Sequence, residues 1–294
     1  MSLDKNKCLI FTALTAVFLS FLAFLINFLF FKFSGNNYFP DGTVLTGIIL
    51  LLVLFGCSLL FEKDNACYLI ARELFYFFLV MAMIATMTNA AQYTPFPPID
   101  EQIIAFEALF GIDMAKIISW TAQFPLFKQI LVYIYKSIDY QMGYLPILLI
   151  FLLRLSEIRE YYFLLLFSAV IGFSFYYFFP TIAPASMVES PLFFDAQHAT
   201  GIKFMEIHNH QPPSTIEGGM IALPSFHAIW AWFCLYLCRK LKVLFLLLLP
   251  VNLLLIASCV LLGWHYPVDI AAAVVLALLT HGMYYLCKRS KLRN

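Results

Sequence analysis

The sequence predicts an all-α protein, a polytopic membrane helical bundle of about eight spans, on three observations. First, 63% of its 294 residues are hydrophobic and 12% are charged, with a mean hydropathy of +0.87. The 18 Lys and Arg and 17 Asp and Glu cannot give a soluble globule of this length a polar skin. Second, apolar runs of about 17–25 residues recur along the chain, enough to cross roughly 30 Å of hydrocarbon at about 1.5 Å per residue. These runs are continuous rather than alternating, which argues against a β-barrel. Third, the basic residues are shared unevenly between the two sides that such spans define.

In order, the spans fall at about 8–32, 43–61, 68–88, 138–154, 161–180, 221–238, 242–262 and 267–287. The first is longer than a secretory apolar core, and Leu29-Phe30-Phe31-Lys32 offers no small-residue cleavage pattern, so it reads as a retained helix. With the N-terminus inside, 13 basic residues face the cytoplasm: Lys5, Lys7, Lys63, Arg72, Arg154, Arg159, Arg239, Lys240, Lys242, Lys288, Arg289, Lys291 and Arg293. The other 5, Lys32, Lys116, Lys128, Lys136 and Lys203, face outward. This bias favours eight spans with both ends in the cytoplasm. The tail at 288–294 then anchors the last helix. Such a topology fits a bacterial inner membrane with outward-facing loops, or an internal membrane with luminal ones.

Two outer segments interrupt the spans. Residues 89–137 begin with Thr94-Pro95-Phe96-Pro97-Pro98 and continue into a stretch, Ile103–Tyr135, too polar to cross a bilayer. It reads either as one or two interfacial helices or as a buried pair capping the bundle. Residues 181–220 carry Pro184, Pro191, Pro212, Pro213 and Gly218-Gly219, and are too long for a simple connector. They form a lid, a substrate loop, or both. The seven cysteines lie in or near spans, so no disulfide framework and no metal-ligand spacing follows. A net charge of +1 gives no sign of a nucleic-acid partner.

Pro224-Ser225-Phe226-His227 and His265-Tyr266-Pro267-Val268-Asp269 each open an apolar span, and the charge bias puts both on the outer side. Pro224 and Pro267 suit the first helical turn, where a missing N–H costs nothing. Ser225 and the backbone donors around it then sit at a helix N-terminus, a favourable place for a phosphate. Asp269 is placed to fix one nitrogen of His265 and free the other. The bland alternatives are a core histidine bonded to a neighbouring helix and a His–Asp pair that merely caps one.

Pro-Ser-Phe-His at 224–227 resembles the second signature of the type 2 phosphatidic acid phosphatase superfamily, and Gly263-Trp264-His265-Tyr266-Pro267-Val268-Asp269 resembles its third. Ser258 stands where that third signature begins, followed by Cys259 in place of the expected arginine. The resemblance covers roughly 68–287 and leaves residues 1–67, the first two spans, as an addition to a six-span catalytic core. The basic first signature is missing. In its place, Tyr176–Pro184 is similar to the branch containing inositol phosphorylceramide synthases and sphingomyelin synthases.

The resemblance implies a lipid phosphatase or phosphotransferase that acts on a membrane lipid through a phosphohistidine and needs no cofactor. His265 would be the nucleophile, Asp269 its orienting carboxylate and His227 the acid. Ser225, Lys203, His208 and His210 are candidates to replace the missing basic clamp. A zinc site at His208 and His210 would lack further ligands. The competing class is a non-catalytic transporter or scaffold, for which Arg72 and Glu73 would form a relay. They read more simply as residues at the cytoplasmic end of the third span.

Overall fold

The computed structural model describes residues 3–289 except Ile221. The first residue of the sixth predicted span, and Lys291 and Arg293 of the basic tail, therefore lie outside the described residues. Eleven α-helices and no strand occur among the described residues. They are α1 (Leu3–Ile26, extended by a π-helical turn Asn27–Phe31), α2 (Thr43–Leu60), α3 (Ala66–Ala91), α4 (Asp100–Ala108), α5 (Met114–Ala122) and α6 (Pro125–Phe151). There follow α7 (Leu155–Phe178), α8 (Asp195–His208), α9 (Phe226–Leu237), α10 (Lys242–Leu261) and α11 (Pro267–Arg289).

By length and composition six helices, α1, α2, α3, α7, α10 and α11, are able to cross a membrane, which fits a multi-pass integral membrane protein. The other two predicted spans differ for physical reasons. The 27-residue α6 starts at Pro125 rather than near 138, and Lys128, Lys136, Asp139 and Gln141 lower its hydropathy. Pro125 occupies the first turn, as its missing N–H allows. The 12 residues of α9 are too few to span roughly 30 Å alone.

The bundle is built around α7, whose buried residues occupy every side of the helix from Ile158 to Tyr176, as expected of a helix enclosed by others. Around it pack α1, α3, α6, α9 and α11, with α10 beyond α6 and α9. The peripheral α2 leans on α3. At Gly47 an added Cβ would stand 2.8 Å from the Phe78 ring, so the small residue permits the approach. Val44, Leu45, Leu52 and Leu59 remain exposed, as suits a helix facing lipid. At the opposite end of α3, the fully buried Glu73 pairs with Arg72 (2.9 Å) and with Arg159 of α7 (2.7 Å). Glu73 thus joins α3 to α7, which is more than a span end requires.

The segment at 89–137 holds α4, α5 and the start of α6. The inner faces of α4 and α5 bury Ile103, Met114 and Ile118 over the bundle, while Phe106, Leu109, Phe110 and Trp120 stay exposed. Asp100 accepts from the Ile182 N–H (2.8 Å) and Glu107 from the Val268 N–H at the start of α11 (2.8 Å). The second outer segment is anchored by Gln197 of α8, whose amide donates to the Leu262 carbonyl (2.9 Å). A strap at 33–41 is fastened to α3: the Asn36 N–H donates to Gln92 and the Tyr38 N–H to Asn89.

Candidate active site

Helix α9 begins at Phe226, two residues later than a first-position Pro224 would imply. Ser225 is its N-cap, with Oγ accepting from the Ala228 N–H (3.3 Å), and Pro224 precedes the cap. Pro267 does take the first position of α11. The Ser225 N–H donates to the Asp269 carbonyl (3.2 Å), so the two half-motifs, 38 residues apart at their histidines, are joined main chain to main chain.

The turn into His265 depends on Gly263. Its φ is +80°, and a Cβ there would meet the Phe193 ring at 2.5 Å. This left-handed residue lets the Trp264 and His265 N–H groups both bond the Cys259 carbonyl, at 3.0 and 2.9 Å, closing α10. His265 emerges in the turn between α10 and α11.

His265 Nδ1 lies 3.0 Å from the Ala222 carbonyl and 3.3 Å from Asp269 Oδ2. A carbonyl can only accept, so Nδ1 carries the proton and the lone pair of the neutral ring is on Nε2. Burial pulls the imidazole down to about 4, against a smaller upward effect of the Ala222 bond, so the ring is neutral at physiological pH. Asp269 is itself held: Oδ2 accepts the Tyr266 N–H (2.9 Å), and the side chain is fully buried. Its Oδ1 finds no hydrogen-bond partner among the described residues.

The His227 ring lies 5.9 Å from that of His265, centroid to centroid. It stacks on Tyr135 of α6 (4.5 Å), which stacks in turn on Trp264 (5.1 Å). One aromatic column therefore fixes His227 relative to the turn that carries His265. His227 is half-buried and lines a cavity of about 670 Å³. The cavity lies between α2, α3 and α9, with Tyr38 of the strap, Thr88, Asp139, Met220 and Trp230 also on its wall. The N-terminal addition thus contributes wall to the site.

None of the four remaining candidates lines this cavity. Ser225 is fully buried and occupied as a cap. Lys203 is 3% exposed; its Nζ donates to the carbonyls of Ile216 (3.3 Å) and Gly218 (3.2 Å) and lies over the Tyr38 ring (5.7 Å). It braces the segment that leads into the cavity wall at Gly218–Met220, and burial lowers its amine to about 8. His208 stacks on Phe204 and packs against Phe33, and His210 packs against Phe33 as well. The cavity wall includes neither histidine. No group of three His, Cys, Asp or Glu placed to hold a metal occurs among the described residues.

Tyr135, Trp264 and Asp139 were not among the residues singled out from sequence. Tyr135 and Asp139 are one turn apart on α6, an i,i+4 pair that a helix starting at 138 conceals. Trp264 was visible as part of the third motif, but its partner was not.

Two histidines 5.9 Å apart, one of them held by a carboxylate, thus stand at the joined starts of α9 and α11. The family model of the PAP2 superfamily matches residues 101–283, more than half of the chain, from α4 into α11. The chain belongs to that superfamily, and so to lipid enzymes of phosphatase or phosphotransferase type. No curated protein and no solved structure matches it.

Proposed function

We propose that this chain cleaves or transfers a phosphoryl or phospho-headgroup of a membrane lipid through a phosphohistidine at His265. The observation that carries this reading is the pair of acceptors on Nδ1, which leaves the Nε2 lone pair for attack. In the first displacement Nε2 bonds to phosphorus while the bond from phosphorus to the leaving oxygen breaks. His227, protonated, gives its proton to that oxygen. The positive charge that develops on the His265 ring is offset by Asp269, whose carboxylate already faces Nδ1. In the second displacement water or an alcohol attacks phosphorus. His227, now neutral, takes the incoming proton, and the bond to Nε2 breaks.

The acceptor decides between hydrolase and transferase, and the cavity favours transfer. Besides His227, its wall carries the ionisable carboxyl groups of Asp41 and Asp139. A phosphomonoester dianion meets more repulsion there than a diester monoanion. This supports kinship with the inositol phosphorylceramide synthase and sphingomyelin synthase branch. In proteoliposomes, phosphatidic acid is to be compared with a phosphodiester glycerophospholipid plus a lipid alcohol. Faster consumption of the diester fits the transferase reading. Faster hydrolysis of phosphatidic acid would overturn the branch and leave the mechanism standing.

A further inference from the structure

Two acceptors face His265 Nδ1, the Ala222 carbonyl and Asp269, and only Asp269 belongs to a histidine motif. The Ala222 carbonyl is one end of a peptide group whose other end is the Leu223 N–H. That N–H donates to Thr181 Oγ1 at 3.2 Å. A trans peptide is planar and points its N–H and C=O in opposite directions, so holding one aims the other. Thr181 therefore stands behind this peptide and His265 in front of it. A hydrogen bond at the N–H also polarises the carbonyl and strengthens it as an acceptor.

Thr181 is itself tied on both sides. Before it, the Pro180 carbonyl accepts from the Ile99 N–H (2.9 Å); after it, the Ile182 N–H donates to Asp100 Oδ2 (2.8 Å). Ile99 and Asp100 are the N-cap and first residue of α4. Thr181 is fully buried, and Asp100, Ala222 and Leu223 nearly so, which shelters these bonds from water. Two turns further along α4, on the same face, Glu107 accepts from the Val268 N–H (2.8 Å). Val268 lies in the first turn of α11, which also carries Asp269. One helix outside both histidine motifs thus steadies both acceptors of Nδ1.

We propose that Thr181 is a positioning residue for His265: its hydroxyl oxygen aims the Ala222 carbonyl at Nδ1, with the start of α4 as its footing. By holding Nδ1 it directs Nε2, on the opposite side of the ring. The hydroxyl touches no reacting atom. Its effect on turnover rests on the assignment of His265 as nucleophile, and its effect on the ring does not.

The test is NMR of the full chain in nanodiscs with isotope-labelled histidine, beside kinetics on phosphatidic acid and on the phosphodiester glycerophospholipid. The His265 resonances are those lost in His265→Ala. Thr181→Val keeps the shape and removes the acceptor. The Nδ1–H resonance should move upfield as the bond to Ala222 weakens, and kcat should fall about threefold to tenfold with KM nearly unchanged. Thr181→Ser, which keeps the oxygen, should restore both. Thr181→Ala tests the same oxygen without a methyl group set against the Leu223 N–H, should valine disturb folding. A lowered melting temperature with resonance and kcat both as in wild type would show a purely structural threonine and overturn the proposal. A resonance that moves while kcat holds would support the strut and overturn His265 as the nucleophile instead.

Discussion

His265 is neutral because it is buried, and its tautomer is set because a carbonyl cannot donate. In the proposed mechanism Asp269 contributes a charge that an amide would not. Asp269→Asn retains an acceptor for the Tyr266 N–H but loses the countercharge, so turnover should fall by roughly 10²-fold or more with the melting temperature little changed. Lys203 shows how a site candidate can have another role. Its folded-state value near 8 lies below the unfolded value of about 10.5. Between these the unfolded chain binds more protons, so stability rises with pH across that window. Melting temperatures in detergent from pH 8 to 10.5 should therefore rise in wild type relative to Lys203→Met. Parallel profiles would show that the amine is not buried as described. Both histidines and Asp269 were legible in the sequence because charge and imidazole are rare in an apolar chain. Ser225 was legible as a helix-start residue. That its hydroxyl is consumed by capping was not, since cap geometry depends on where the first turn begins.

At the scale of elements, the site is the joining of two helix starts by the Ser225 N–H and the Asp269 carbonyl, backed by an aromatic column from α6. Tyr135→Phe preserves the column and should preserve activity. Tyr135→Leu frees the His227 ring and should lower kcat by about tenfold with little change in KM. Equal activity in both variants would show that the stack does not position His227. The turn before His265 is the other mechanical element. Gly263→Ala puts a Cβ at φ +80° against Phe193 and should cost roughly 1–3 kcal/mol, read as a lowered melting temperature. The six strongly apolar helices could be read from hydropathy alone. The start of α6 could not: its polar residues obscure the helix, and a proline at the first turn looks like a loop signal when its surroundings are unknown.

For the whole molecule, we propose from the positive-inside bias that α4, α5, α8 and both histidine motifs face outward. This orientation is checked by labelling single cysteines on a cysteine-free background. A cysteine at Lys116, an exposed side chain on α5, should react with a membrane-impermeant maleimide in intact cells. One at Lys63, between α2 and α3, should react only after permeabilisation. The reverse pattern would put the site in the cytoplasm. The sequence divided the chain into an addition and a core, but the folded chain joins them. Tyr38 and the start of α2 line the cavity beside His227, and α1 packs against α3 and α7. Such contacts join residues far apart in the chain through side chains of ordinary type, so no local pattern reveals them.

The central claim is that His265 Nε2 attacks phosphorus. Purified chain in proteoliposomes is given phosphatidic acid or a phosphodiester glycerophospholipid, quenched in base to spare phosphohistidine, and digested for mass spectrometry. The account predicts a phosphoryl or phospho-headgroup adduct on His265, absent in His265→Ala, with turnover lowered by about 10²- to 10⁴-fold in His227→Ala. An adduct on another residue, or turnover that survives in His265→Ala, would contradict it.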